Sequence, residues 1–173
     1  MAEKLDYLIS ALMVGAGATA VMDIGAVARQ RLFGIPPLDY ALVGRWLVYL
    51  ARGRFRHKSI AASPPVMGER PFGWIAHYLI GITFAAALLG IWELDWVCRP
   101  TIGPALIVGI GSVAAPFLLI QPGMGAGVAA SRTPHPAKAR LQSLLTHGIF
   151  GLGLYAAGWA TSLLTTLLGR NFC

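Results

Sequence analysis

Long apolar runs separated by short charged segments organise this chain. Between Asp6 and Arg29 the one charged residue is Asp23, and residues 71–92, 100–131 and 141–169 carry none. A helix needs roughly 20 mostly apolar residues to cross the hydrocarbon of a bilayer. The pattern therefore predicts four spanning helices, near residues 7–28, 71–92, 101–128 and 141–167. The runs are far longer than the ~10 residues of a barrel strand and do not alternate, which excludes a β-barrel. Pro104, Pro116 and Pro122 punctuate the third run. Its end, Pro122-Gly123-Met124-Gly125, is expected to kink or unwind.

The connection 29–70 is too long for a plain loop. Residues 39–51 read as a helix: Pro36 and Pro37 precede it, Asp39 suits its N-cap, and Leu42, Trp46, Tyr49 and Leu50 share a face. The basic run Arg52-Gly53-Arg54-Phe55-Arg56-His57-Lys58 follows at once. Such a segment is expected to lie flat in the membrane interface, with Trp46 among the headgroups. Arg52, Arg54, Arg56 and Lys58 would then contact anionic lipid, each gaining on the order of 1 kcal/mol.

Composition agrees. Of 173 residues, 56% are hydrophobic and 12% charged, against about 25% charged in a soluble domain. That leaves too little polar surface for a water-soluble particle and excludes disorder. Two cysteines are too few for a disulfide-stapled scaffold. The fold class is an all-α membrane protein: four transmembrane helices in a bundle plus one cytoplasmic interfacial helix, forming a single integral domain over 1–173. Eleven of the 14 Lys and Arg residues fall in 29–70 and 132–140; Lys4, Arg99 and Arg170 are the others. This asymmetry predicts that both basic connections are cytoplasmic and both termini periplasmic, in a bacterial inner membrane. Ala18-Thr19-Ala20 looks like a signal-peptide cleavage site, but Glu3, Asp6 and the basic cluster after the span argue for a retained helix. Cys98 and Cys173 fall on the same predicted outer side, where a bridge between them is open. The basic cluster lacks any nucleic-acid recognition motif. The expected partners are the lipid bilayer, anionic lipids, and a second copy or another membrane protein.

Three ionisable residues lie inside the predicted spans: Asp23, His77 and His147. Such residues are costly in hydrocarbon and are functional candidates by default. Asp23 lies six residues before Arg29, His77 seven after Arg70, and His147 seven after Arg140. Their depths therefore match, at roughly 9–10 Å below one boundary. Gln121, beside the Pro-Gly break, could join them, and Tyr78 and Thr146 flank the histidines. Small residues recur at steps of four: Gly15 and Thr19 before Asp23, Gly81 and Ala85 after His77, Gly151 after His147. That spacing places the polar residues on helix-packing faces. The match of Arg70-x6-His77-x3-Gly81 to Arg140-x6-His147-x3-Gly151 hints at a duplication in which the two histidines face each other.

Asp23, His77 and His147 could relay protons or hold a cation, bind a divalent metal, or, through the two histidines, hold a haem. They could equally form a structural hydrogen-bonded pair that fixes helix register. No HExxH or paired-cysteine spacing supports a metal, and the reading favours no cofactor and no enzyme. Two function classes stay open: a small transporter or permeation element using this polar site, and a non-catalytic membrane partner or assembly protein in which it is structural.

Several stretches carry a family resemblance: Ala18-Thr19-Ala20-Val21-Met22-Asp23, Tyr40-Ala41-Leu42-Val43-Gly44-Arg45-Trp46, Gly53-Arg54-Phe55-Arg56-His57, Gly68-Glu69-Arg70, Gln121-Pro122 and Leu144-Leu145-Thr146-His147. Over nearly its whole length the chain resembles a bacterial family catalogued as domain of unknown function twenty-nine thirty-eight. The resemblance implies a small, multi-span inner-membrane protein and brings no activity, cofactor or catalytic residue.

Overall fold

The computed structural model describes residues 2–167. Seven α-helices follow in order among them: α1 (Ala2–Phe33), α2 (Tyr40–Ala51), α3 (Glu69–Trp92), α4 (Asp95–Cys98), α5 (Ile102–Gly111), α6 (Gln121–Met124) and α7 (Pro136–Leu167). A π-helical turn, Pro116–Ile120, joins α5 to α6, and a 3-10 turn, Val128–Ala130, precedes α7. No strand occurs among the described residues. Four helical stretches are long and apolar enough to cross a membrane: α1, α3, the composite Ile102–Met124, and α7. All four coincide with the predicted spans. Arg170 and Cys173, and with Cys173 any bridge to Cys98, lie outside the described residues.

The third span breaks earlier than its sequence suggests. Pro116 has no N–H to give the preceding turn. The backbone tightens there, with Val113 N–H bonded to Ile110 O and Ala115 N–H to Ser112 O, and then widens into the π turn. The Pro-Gly segment instead ends the span: α6 stops at Met124, and Gly125 takes a left-handed φ of 102°. The short helix α4 escapes the sequence reading because it is one turn long. It buries Trp96 and Val97.

Small residues set the helix contacts. A Cβ on Gly15 would collide with the α3 backbone at Ile82, and one on Gly81 with Thr19 Oγ1. Gly17 abuts Ala157, Gly153 abuts Ala18, and Gly109 abuts the Gly151 backbone. Thus α1 packs along both α3 and α7, α5 packs on α7, and α3 meets α5 only narrowly. This close approach takes the place of a hydrophobic drive, which lipid does not supply between helices. The apolar core lies toward the α4 end, where Val14, Leu88, Leu89, Val97, Val108 and Leu154 are almost fully buried. Toward the α2 end, α3 and the third span separate.

Asp39 caps α2 as expected, its side chain accepting from Ala41 N–H at 3.0 Å. The helix crosses α3 at two glycines: a Cβ on Gly44 would run into Glu69 O, and one on Gly73 into Tyr40 O. Beside that crossing Arg45 is buried and donates from Nε to Glu69 Oε2 at 2.7 Å and from Nη2 to Oε1 at 2.8 Å. Its Nη1 donates to Ile60 O and Ser63 O, at 3.3 and 2.9 Å. The connection after α2 is thereby folded onto the bundle. Tyr49 OH donates to Pro64 O at 3.1 Å, and Trp46 Nε1–H to Phe55 O at 3.2 Å. Of the residues expected on one face of α2, Tyr49 is buried in protein and Trp46 packs on Gly123.

Gly44→Val is expected to push α2 off α3 and to lower stability by about 1–3 kcal/mol, as overpacking does, measured by thermal unfolding in detergent. Glu69→Ala leaves the guanidinium of Arg45 without its counter-ion. It should speed tryptic cleavage after Arg52, Arg54 and Arg56, and unchanged cleavage would refute the anchoring role of the pair.

Candidate functional site

The site begins with the α1–α3 contact. Gly15 and Thr19 hold α1 against Gly81 of α3, so Asp23, one step further along the same face, lies beside the turn of α3 bearing His77 and Tyr78. A carboxylate only accepts, so the proton on His77 sits at Nε2, which donates to Asp23 Oδ1 at 3.0 Å. Tyr78 OH donates to Oδ2 at 3.1 Å. Both carboxylate oxygens are thus engaged, and the side chains of His77 and Asp23 are only 10% and 20% exposed. Tyr40, at the start of α2, stacks on the imidazole with ring centres 4.1 Å apart and planes at 25°. Trp74 meets the same ring edge-on at 5.8 Å. Burial, and secondarily the Asp23 carboxylate, push the Tyr40 phenol up, so it stays protonated through the neutral range.

His147 has a different partner. The Gly109–Gly151 contact brings α5 against α7, and His147 Nδ1 lies 2.7 Å from Ser112 Oγ. Ser112 also donates to Gly109 O at 2.6 Å. A hydroxyl has one proton, and the carbonyl can only accept it. His147 therefore carries its proton on Nδ1 and donates to Ser112, which leaves Nε2 with the free lone pair. In this arrangement Ser112 has no base to activate it, so the Ser–His pair is not a nucleophile.

The two histidines nevertheless share one space. A cavity of about 100 Å³ is lined by His77 from α3 and His147 from α7, with Thr19, Tyr40, Ser112 and Phe150 among its walls. It adjoins a larger vestibule of about 410 Å³, which holds Arg29, Gln121, Ser143 and Thr146 and shares Met22, Tyr40 and His147 with it. Gln121 lies in that vestibule and donates from Nε2 to Ser143 Oγ at 3.4 Å. The structure thus pairs Asp23 with His77, sets His147 on another wall of the same cavity, and places Gln121 further out. No group of three or more His, Cys, Asp or Glu side chains among the described residues is placed to hold a metal ion.

Arg52, Arg54, Arg56 and Lys58 are all exposed, and the guanidinium of Arg54 sits 5.0 Å over the Tyr49 ring. Three site residues had no clear signal in the sequence. Tyr40 reaches His77 only through the α2–α3 crossing. Ser112 is a lone hydroxyl in an apolar run. Arg29 read as a boundary charge.

The family described as "Protein of unknown function (DUF2938)" matches residues 12–161, and the chain belongs to it. No curated protein and no solved structure matches the chain.

His77→Ala strips Asp23 of one of two partners and should cost about 1–3 kcal/mol. Tyr78→Phe, which removes a neutral donor, should cost about 0.5–1.5 kcal/mol. Thermal unfolding of both variants in one detergent checks the order.

Proposed function

We propose that this chain is a small integral membrane carrier or permeation protein that handles a proton or cation at Asp23, His77 and His147. The observation that carries the reading is the shared cavity: two histidines on different helices line one space that adjoins a vestibule holding Arg29, Gln121 and Ser143. His77 is hydrogen-bonded to the Asp23 carboxylate, and the lone pair on Nε2 of His147 can accept a proton. A proton entering from the vestibule can therefore meet a base on His147 and an acceptor pair at His77–Asp23. Ionisable groups placed this way inside spans are typical of ion and proton pathways.

The Lys and Arg asymmetry supports an orientation with 29–70 and 132–140 in the cytoplasm, within a bacterial inner membrane. The vestibule would then open inward, and Arg52, Arg54, Arg56 and Lys58 would meet anionic headgroups. A second reading makes the cluster structural. It is favoured by the full engagement of both Asp23 oxygens by α3 side chains.

Proton flux into liposomes containing the purified protein separates the two. On the carrier reading, Asp23→Asn abolishes flux while the unfolding temperature hardly moves, because the amide keeps the shape and loses the charge. On the structural reading the unfolding temperature falls and no flux depends on the residue. For orientation, a cysteine introduced at Arg54 is expected to resist an impermeant thiol reagent in intact cells and to react once they are opened. Labelling in intact cells would reverse the topology.

A further inference from the structure

The space around the site extends beyond what a proton requires. A third space, about 300 Å³, runs between α2, α3 and the π turn, lined by Val43, Trp46, Phe84, Ala115 and Leu119. Ile120 is common to this fissure, the histidine cavity and the vestibule. The fissure is apolar apart from Thr83, and Leu119 at its rim is 66% exposed, so it opens sideways, toward lipid in a spanning helix bundle. The vestibule, also largely apolar, carries a few polar groups among its walls. Two buried polar atoms on residues lining it lack partners: Nε of Arg29 and Oε1 of Gln121. An unpaired buried guanidinium N–H calls for an anionic acceptor, and an unpaired amide oxygen calls for a donor.

We infer that the vestibule and fissure together form a binding site for a single-chain anionic amphiphile with a phosphate monoester head. As its monoanion, a monoester phosphate offers both functions in one group: anionic oxygens for Arg29 and a P–OH for the Gln121 amide. A free inorganic phosphate supplies the same head chemistry, but it would leave the fissure unused. The chain lies along the fissure between α2 and the third span, and the π turn that begins at Pro116 supplies the wall that parts from α3. Entry is lateral, from the bilayer. This site does not depend on the proton-handling reading, since occupancy is measured without flux.

The test is equilibrium binding of radiolabelled dodecyl phosphate to the full chain in nanodiscs of zwitterionic lipid, with empty nanodiscs as background. Saturable one-to-one binding is expected. Dodecanol and inorganic phosphate should each compete about tenfold more weakly than unlabelled dodecyl phosphate, since each lacks one half of the ligand. Arg29→Gln should weaken binding about tenfold, the loss of one charge-assisted contact, and Arg29→Lys should weaken it less. Ala115→Phe, which fills the fissure without touching the head, should also weaken it. Variants are compared only where gel filtration and unfolding temperature match the parent. Binding no greater than that of empty discs would overturn the proposal, as would parent-like affinity in both Arg29→Gln and Ala115→Phe. Inorganic phosphate competing as strongly as unlabelled dodecyl phosphate would replace it with a free-anion site.

Discussion

One buried guanidinium holds the α2 end of this molecule together. Arg45 grips both oxygens of Glu69 and three carbonyls of the following connection, Ile60, Ala61 and Ser63. The planar fork of arginine suits that task, since it can meet a carboxylate in bidentate fashion and still have donors left for backbone oxygens. Glu69 in turn accepts from Val66 N–H at 3.0 Å, so the pair also fixes the turn that leads into α3. The Gly44–Gly73 crossing is what lets the two charges come so close. Without it, Tyr40 would not lie over His77, and the cavity would lose its cover.

The bundle is built as two unlike halves. At the α4 end glycine and alanine contacts close the helices onto an apolar core. At the α2 end α3 and the third span part, because Pro116 interrupts the third span and α3 meets it only narrowly. Asp23, His77, Ser112 and His147 lie in that open half. Asp23 and His77 satisfy each other across α1 and α3, while Ser112 and His147 do so across α5 and α7. The apparent three-residue cluster is thus two pairs on separate walls, joined by a space instead of a hydrogen bond.

Much of this was legible from residue order, and the reasons differ from element to element. The four spans follow from apolar length alone. The small residues at steps of four before Asp23 and after His77 and His147 foretold helix contacts, because backbone approach in lipid requires them. Asp39 announced the start of α2 through a local capping preference. What stayed hidden was long-range. Arg45 and Glu69 are twenty-four positions apart, and nothing in a basic loop distinguishes the arginine that turns inward from those that remain outside. The division of the histidines between Asp23 and Ser112 depends on which way α7 rotates, and equal depth along the chain is silent about rotation. The π turn was also missed, since a proline signals a break but not its winding.

The docking of the long connection onto the end of the third span has a consequence for biosynthesis. His57 and Ile60 give their backbone N–H groups to Gly123 O and Met124 O, each at 2.9 Å. Those acceptors are made more than sixty positions later, at chain-growth rates of about 5–20 residues per second. For roughly 3–13 s the nascent segment has no partner for these groups and must wait beside the first two inserted helices. Its cluster of arginines keeps it solvated meanwhile. The third helix therefore completes a structure begun by the first two, and the order of emergence from the ribosome becomes part of how the fold is reached.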